Sequence, residues 1–148
     1  MGTGTITVTR RVAAPPERVF AAWIDAEQLA AWWWPQLPGT TYRVDARADG
    51  RFLIHGPAIG ATISGVYSAV DPPQRLAFTW NWENDGEGEA VVADTVVVTF
   101  EPDDGGTRTT VAHTSSAHEP DGATEQGWSD VMDRLVDHVG GQSTSSRS

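Results

Sequence analysis

Two kinds of residue in this sequence could do chemistry: one carboxylate–imidazole pair and an excess of indoles. Asp94 opens the alternating apolar–polar run 94–101, and His113 lies near the end of the run 106–115. Taking residues 102–105 as the loop between them sets Glu101 against Gly106 and Phe100 against Thr107. Thr109, Val111 and His113 then share an inner face with Val96, Val98 and Phe100. On that count Asp94 stands directly opposite His113, with Cβ atoms about 4.5–5.5 Å apart. A carboxylate beside an imidazole fixes its tautomer and raises its basicity, which suits general-base attack on a carbonyl compound. A core histidine bonded to a polar neighbour gives the same pattern, so both readings stay open.

The indoles are Trp23, Trp32, Trp33, Trp34, Trp80, Trp82 and Trp128. Each buries about 150–250 Å² when covered, far more in total than a soluble monomer leaves exposed in one patch. Each also carries an N–H that wants an acceptor when buried. Core filling accounts for any one of them. As a set, Trp33, Trp80, Trp82 and Trp128 suit the walls of a cavity for a flat or greasy ligand bearing an acceptor. Tyr42, Phe52, Tyr67, Phe78 and Met132 are the other candidate ligand contacts. The facing of Tyr67 is left open, because the run 61–70 has no clear alternation.

Composition removes several alternatives. The 148 residues contain no cysteine, and all ten basic residues are arginine. Thiolate chemistry, disulfides, cysteine-ligated metals and lysine Schiff bases are therefore excluded. A net charge of −10 argues against nucleic acid and anionic membrane surfaces as partners. No apolar run reaches spanning length. The opening MGTGTITV has neither the charged nor the apolar region of a secretory leader, so a cytoplasmic location is expected. No metal site is expected: His113, His118 and Glu119 lack metal-ligand spacing, and the acidic stretch 81–92 ends in Val92 where a calcium loop needs glutamate. No cofactor fingerprint or nucleophile elbow occurs.

The elements that would position these residues can be read in order. Residues 5–13 alternate as a strand. Pro15-Pro16-Glu17 opens a helix that pairs Val19 with Trp23 and Phe20 with Ile24. Asp25, with Gln28 three residues on, caps a second short helix whose inner stripe is Leu29, Trp32 and Trp33. Turn signals between residues 40 and 115 mark six further strands. A three-residue loop at 48–50 pairs Arg47 with Arg51, which turns Tyr42, Val44, Ala46, Phe52 and Ile54 inward and His55 outward. Trp128, Val131, Met132, Leu135, Val136 and Val139 then fall at helical spacing before Gly140, with an Asp130–Arg134 ion pair on the outer side. Residues 1–140 read as one domain and 141–148 as a disordered tail.

Seven strands and one long helix make a sheet that must curl around that helix. At this point ITVTRRVAAPPERVFAAWIDAEQLAAWW, SGVYSAVDPPQRLAFTW, VVVTFEPDDGGTRTTVAHT and EQGWSDVMDRL resemble the domain related to the C-terminal part of the activator of Hsp90 ATPase. The resemblance runs from about Ile6 to Val139. It implies the α+β helix-grip fold of the SRPBCC (START/Bet v 1-like) superfamily: a seven-stranded curved antiparallel sheet wrapped around a long C-terminal helix, with two short helices after the first strand. That superfamily includes lipid carriers, polyketide cyclases, hydrolases and co-chaperones, so the likeness carries fold further than function. Three readings follow. The chain binds a small hydrophobic molecule between the last helix and the sheet, or it is an acid–base enzyme using Asp94 and His113 in the same cavity, or it is a chaperone- or regulator-interacting module. A homodimer is compatible with each.

Overall fold

The computed structural model describes residues 4–84, 94–115 and 122–140. Most of the acidic loop, His118, Glu119 and the tail lie outside those residues. β1 (Gly4–Val12) leads into two short helices, α1 (Pro16–Ile24) and α2 (Ala26–Trp32). Six strands follow: β2 (Thr41–Val44), β3 (Arg51–Gly56), β4 (Ala61–Asp71), β5 (Arg75–Asn84), β6 (Asp94–Asp103) and β7 (Gly106–Ser115). The chain closes with α3 (Gly122–Leu135), whose last turn widens into a π-helix over Val136–Gly140.

Neighbouring strands are antiparallel, in the order β1-β7-β6-β5-β4-β3-β2. This is the helix-grip arrangement expected from the sequence, a curved sheet around a C-terminal helix. Proline at the first turn of α1 loses no helical hydrogen bond there. Asp25 starts α2 by accepting from the Glu27 N–H at 2.9 Å, a simple cap rather than the reciprocal box with Gln28.

The sheet's inner face and the apolar stripes of the helices make one core. Val96, Val98 and Phe100 of β6, Val111 of β7, and Trp128, Val131, Met132, Leu135 and Val139 of α3 and its π-turn are all buried. Tyr67 also faces in, packed against Phe52 and Phe78 at ring-centroid distances of 5.6 and 5.9 Å. A register irregularity between Tyr67 and Ala69 of β4 breaks the alternation that would have announced this.

Two hairpin registers differ from the expected ones by two residues. β6 and β7 pair Asp103 with Gly106 and Phe100 with Thr109. Only Asp104 and Gly105 make the turn, both left-handed at φ 52° and 86°, which is the tight hairpin that an Asp-Gly dipeptide favours. β2 and β3 pair Val44 with Phe52, and Asp49 rather than Gly50 takes the left-handed conformation, at φ 68°. An even shift keeps every side chain on its expected face.

The Asp130–Arg134 ion pair is replaced by other contacts. Arg134 turns inward and donates from Nε to the Trp32 carbonyl at 3.0 Å and from Nη2 to the Trp33 carbonyl at 2.7 Å. Those carbonyls end α2 and have no helical donor of their own. Asp130 accepts instead from Gln126 at 2.9 Å.

Candidate functional site

The inner face is not filled along its whole length. Between the first half of α3 and the middle of the sheet lies a cleft of about 600 Å³. Its walls are Trp33, Trp34, Gln36 and Leu37 at the end of α2 and just beyond, Ile59 in the β3–β4 turn, and Ile63 of β4. Trp80 and Trp82 of β5 and Gly127, Trp128 and Val131 of α3 complete it. Five of the seven tryptophans therefore meet in one place, and among the described residues no charged side chain lines it. The volume lies within the usual range for small-molecule sites, about 300–1,000 Å³.

The indoles are arranged as plates set on edge. Trp33 meets Trp128 at 5.5 Å and 86°, and Trp34 meets Trp82 at 6.0 Å and 79°. Trp80 and Trp128 lie 5.1 Å apart at 42°. Trp82 is 44% exposed, a high value for so large an apolar side chain, and sits in the wall of the cleft. Trp80 is half-buried and Trp33 and Trp128 are buried.

Among the ligand contacts named from the sequence, Trp33, Trp80, Trp82 and Trp128 line the cleft. Phe52, Tyr67 and Phe78 instead border a second, much smaller cavity of about 30 Å³ deeper in the core, which Trp33 and Trp80 also touch. Tyr42 lines neither cavity: its hydroxyl accepts the Trp34 backbone N–H at 3.1 Å and so steadies the segment after α2. Met132 is fully buried and packs in the core. Trp34, Gln36, Leu37, Ile59, Ile63, Gly127 and Val131 also form the wall, although none is among the ligand contacts expected from the sequence. Most stand outside strict alternation, in turns or on the rim. Trp34-Pro35, an aromatic in a segment no element claims, was the one available signal.

The tyrosine hydroxyls inside are held neutral. Burial, and then the nearby Asp45 carboxylate, push the Tyr67 phenol well above its usual range. Tyr42 is also raised, chiefly by burial, with the Trp34 hydrogen bond and the Arg134 charge working the other way.

Asp94 and His113 do meet, although not as directly opposed residues. Val96 is the partner of His113 across the ladder, and Asp94 reaches the ring from the diagonal position, Oδ2 to Nε2 at 2.8 Å. On the other side of the ring, Trp128 Nε1 donates to His113 Nδ1 at 3.0 Å. An indole nitrogen can only donate. Nδ1 is therefore the acceptor, and Nε2 carries the proton given to Asp94. The His113 side chain is 2% exposed and that of Asp94 16%. Both imidazole nitrogens are thus committed, one to each neighbour, and the result is a brace that sets the Trp128 ring in the cleft wall.

Among the described residues no group of three or more His, Asp or Glu could hold a metal ion. No described helix is long and apolar enough to cross a membrane.

Residues 13–140 match the family of Activator of Hsp90 ATPase homolog 1-like proteins. No curated protein matches the chain in sequence. Among solved structures the fold is similar to protein MLL2253 from Mesorhizobium loti, at 22% identity over 91% of this chain and 96% of that one, with a TM-score of 0.74. It is also similar to DynU16, a protein of the dynemicin biosynthetic locus, at 21% identity over 90% of this chain and 46% of that one, TM-score 0.72. PFC0360w, an HSP90 activator from Plasmodium falciparum, is 21% identical over 88% of this chain and 92% of that one, TM-score 0.66. At these identities the likeness establishes the fold alone.

Proposed function

Since the chain belongs to the Activator of Hsp90 ATPase homolog 1-like family, we propose that it binds a small, uncharged, largely flat hydrophobic molecule in the cleft between α3 and β5. One observation carries this reading: five indoles converge on an open cleft of about 600 Å³, where a core built only for stability would have closed. Uncharged guests fit best, because Gln36 is the most polar of the described side chains in the wall and the chain's charge of −10 repels anions. Ring-on-ring contact supplies the attraction, worth about 0.5–1.5 kcal/mol per aromatic pair beyond area burial. Tryptophan fluorescence titrated with a panel of polycyclic aromatic and acyl compounds tests it. A saturable shift or quench with one class supports the reading, and no response to any class overturns it.

A second reading, acid–base catalysis in the same cleft, is favoured by the 2.8 Å contact between Asp94 and His113. Proton abstraction needs a free lone pair on the ring within reach of the substrate. As arranged, His113 offers one only if Trp128 swings off Nδ1. Binding is therefore the better-supported role of the two. The neighbouring HSP90 activator brings interaction with a chaperone as the remaining alternative. Capture of Hsp90 from solution by the purified chain, above background, would favour it.

A further inference from the structure

Gly127 stands inside α3, where the helix itself gives no reason for a glycine. Its backbone freedom goes unused, because the residue is helical and is not among the glycines with positive φ. In a helix interior glycine weakens the folding equilibrium about fivefold relative to alanine, through the backbone entropy it gives up. Glycine is also kept where a neighbour leaves no space for a Cβ, and the sheet has such places. A Cβ on Gly65 would run into the Thr79 carbonyl, and one on Gly50 into that of Asp45. At Gly127 a Cβ would meet no atom within 4 Å. Neither the backbone nor the packing asks for this residue.

Its place in the cleft does. Gly127 is the one position without a side chain among the described wall residues. It lies one turn before Val131 on the same row of the helix. That row flanks the buried stripe on the side of Val131, which lines the cleft; Met132, on the other flank, packs in the core and does not. The cleft therefore runs along the Gly127–Val131 side of α3, and a side chain at 127 would project on that side, next to Trp128.

We propose that Gly127 determines which guests the cleft admits: its missing side chain leaves room for the guest to lie against the bare backbone of α3 beside Trp128. The helix is less stable for it, and the cleft is wider. This inference rests on the cleft being a binding site, and it adds where along α3 the guest makes contact and which residue limits its bulk there.

The test measures urea midpoints and the affinity for N-phenyl-1-naphthylamine, an uncharged naphthalene fluorophore that brightens in apolar surroundings. Gly127→Ala and Gly127→Leu each install a good helix former and should raise the urea midpoint. Affinity should fall in the order of side-chain size, about threefold for alanine and at least about tenfold for leucine. A purely structural position would not gain stability while losing the guest. Gln126→Leu adds bulk at an exposed position of the same helix outside the cleft wall and should leave affinity within about twofold. If Gly127→Leu binds the probe as tightly as the unaltered chain, the proposal is overturned and the cleft reading stands. A lower urea midpoint in Gly127→Ala would also overturn it, since the glycine would then serve the fold. So would an equal loss of affinity in Gln126→Leu. Should Gly127→Leu not fold, the alanine variant decides: a higher midpoint with weaker binding supports the proposal, and unchanged binding overturns it. A compound of the wider panel that binds where this probe does not takes its place, and if none binds the unaltered chain both ideas fall together.

Discussion

The two ends of the concave face are built from different side chains, and only one end is closed. Toward the C-terminal end of α3, Val12, Val98, Val111, Met132, Leu135 and Val139 are essentially without exposure. Toward its beginning, Trp33, Trp34, Trp80, Trp82 and Trp128 surround open space. The difference lies in how the groups fill volume. Branched and unbranched aliphatic chains adjust by rotation until no gap remains. Indoles are rigid plates, and plates meeting at 79° and 86° leave wedges between them. One sheet and one helix can therefore hold a stable core and a vacant cleft side by side, provided that each end is supplied with its own kind of residue.

The contrast can be broken most heavily from the closed end. Leu135→Ala should cost about 3 kcal/mol of stability, since the site is fully packed and cannot collapse. Guest affinity should change by less than about twofold, because distant sites act independently. Chemical denaturation and a fluorescence titration on the same sample measure both. A stability loss under about 1 kcal/mol would mean that the end is not packed as described.

Trp128→Phe is the variant in which the two ends meet. It removes a cleft wall and also the donor to His113 Nδ1. Stability should fall by about 2 kcal/mol and affinity by about tenfold. Loss of affinity alone would show that the Asp94–His113–Trp128 brace contributes little to the fold.

At the rim, Trp82→Ala should weaken binding by about fivefold while changing stability by less than about 1 kcal/mol, because the ring is 44% exposed. Unchanged affinity for every guest would move the site away from β5.

The smallest effect expected is one of pH, and it belongs to the closed end. Burial, and then the Arg18 charge, lower the pKa of His138. The folded chain therefore binds this proton less readily than the unfolded chain. Stability from this group is present above the ordinary imidazole range, near 6.5, and is lost as pH falls through that range toward the folded value. Urea midpoints at about pH 7.5 and 5.5 should differ in that direction, and less so in His138→Gln.

Much of this was readable from residue order, for reasons that can be stated residue by residue. The stripe Trp128, Val131, Met132, Leu135 and Val139 repeats at helical spacing and is buried as that spacing requires. The facing of β5 through β7 followed from alternation. The β6–β7 register did not: the loop was counted at four residues, where Asp104 and Gly105 alone turn the chain. The error was two positions, so Asp94 and His113 stayed on one face, and the outer imidazole nitrogen, Nε2, met the carboxylate across the diagonal gap. A one-residue error would have separated them.

The cleft was only half legible. Its strand and helix walls, Trp80, Trp82 and Trp128, lie in periodic segments. Trp34, Leu37 and Ile59 lie where the chain has no period, and only the folded chain brings them together. Nor does a sequence show which indole finds an acceptor, because that depends on the carbonyl or imidazole opposite. Trp32, whose N–H meets the Ala22 carbonyl at 3.0 Å, resembles Trp23 and Trp33 until the backbone of α1 is in place.

Arg134 has one more consequence. By gripping the carbonyls at the end of α2 from the flank of α3, it fastens together two of the structures that border the opening. Parting them would break charge-assisted bonds, which are about twice as strong as neutral ones. Entry should then be a single encounter with a ready-made slot. The observed association rate should climb in proportion to guest concentration without reaching a plateau, and guests should be admitted according to their thickness.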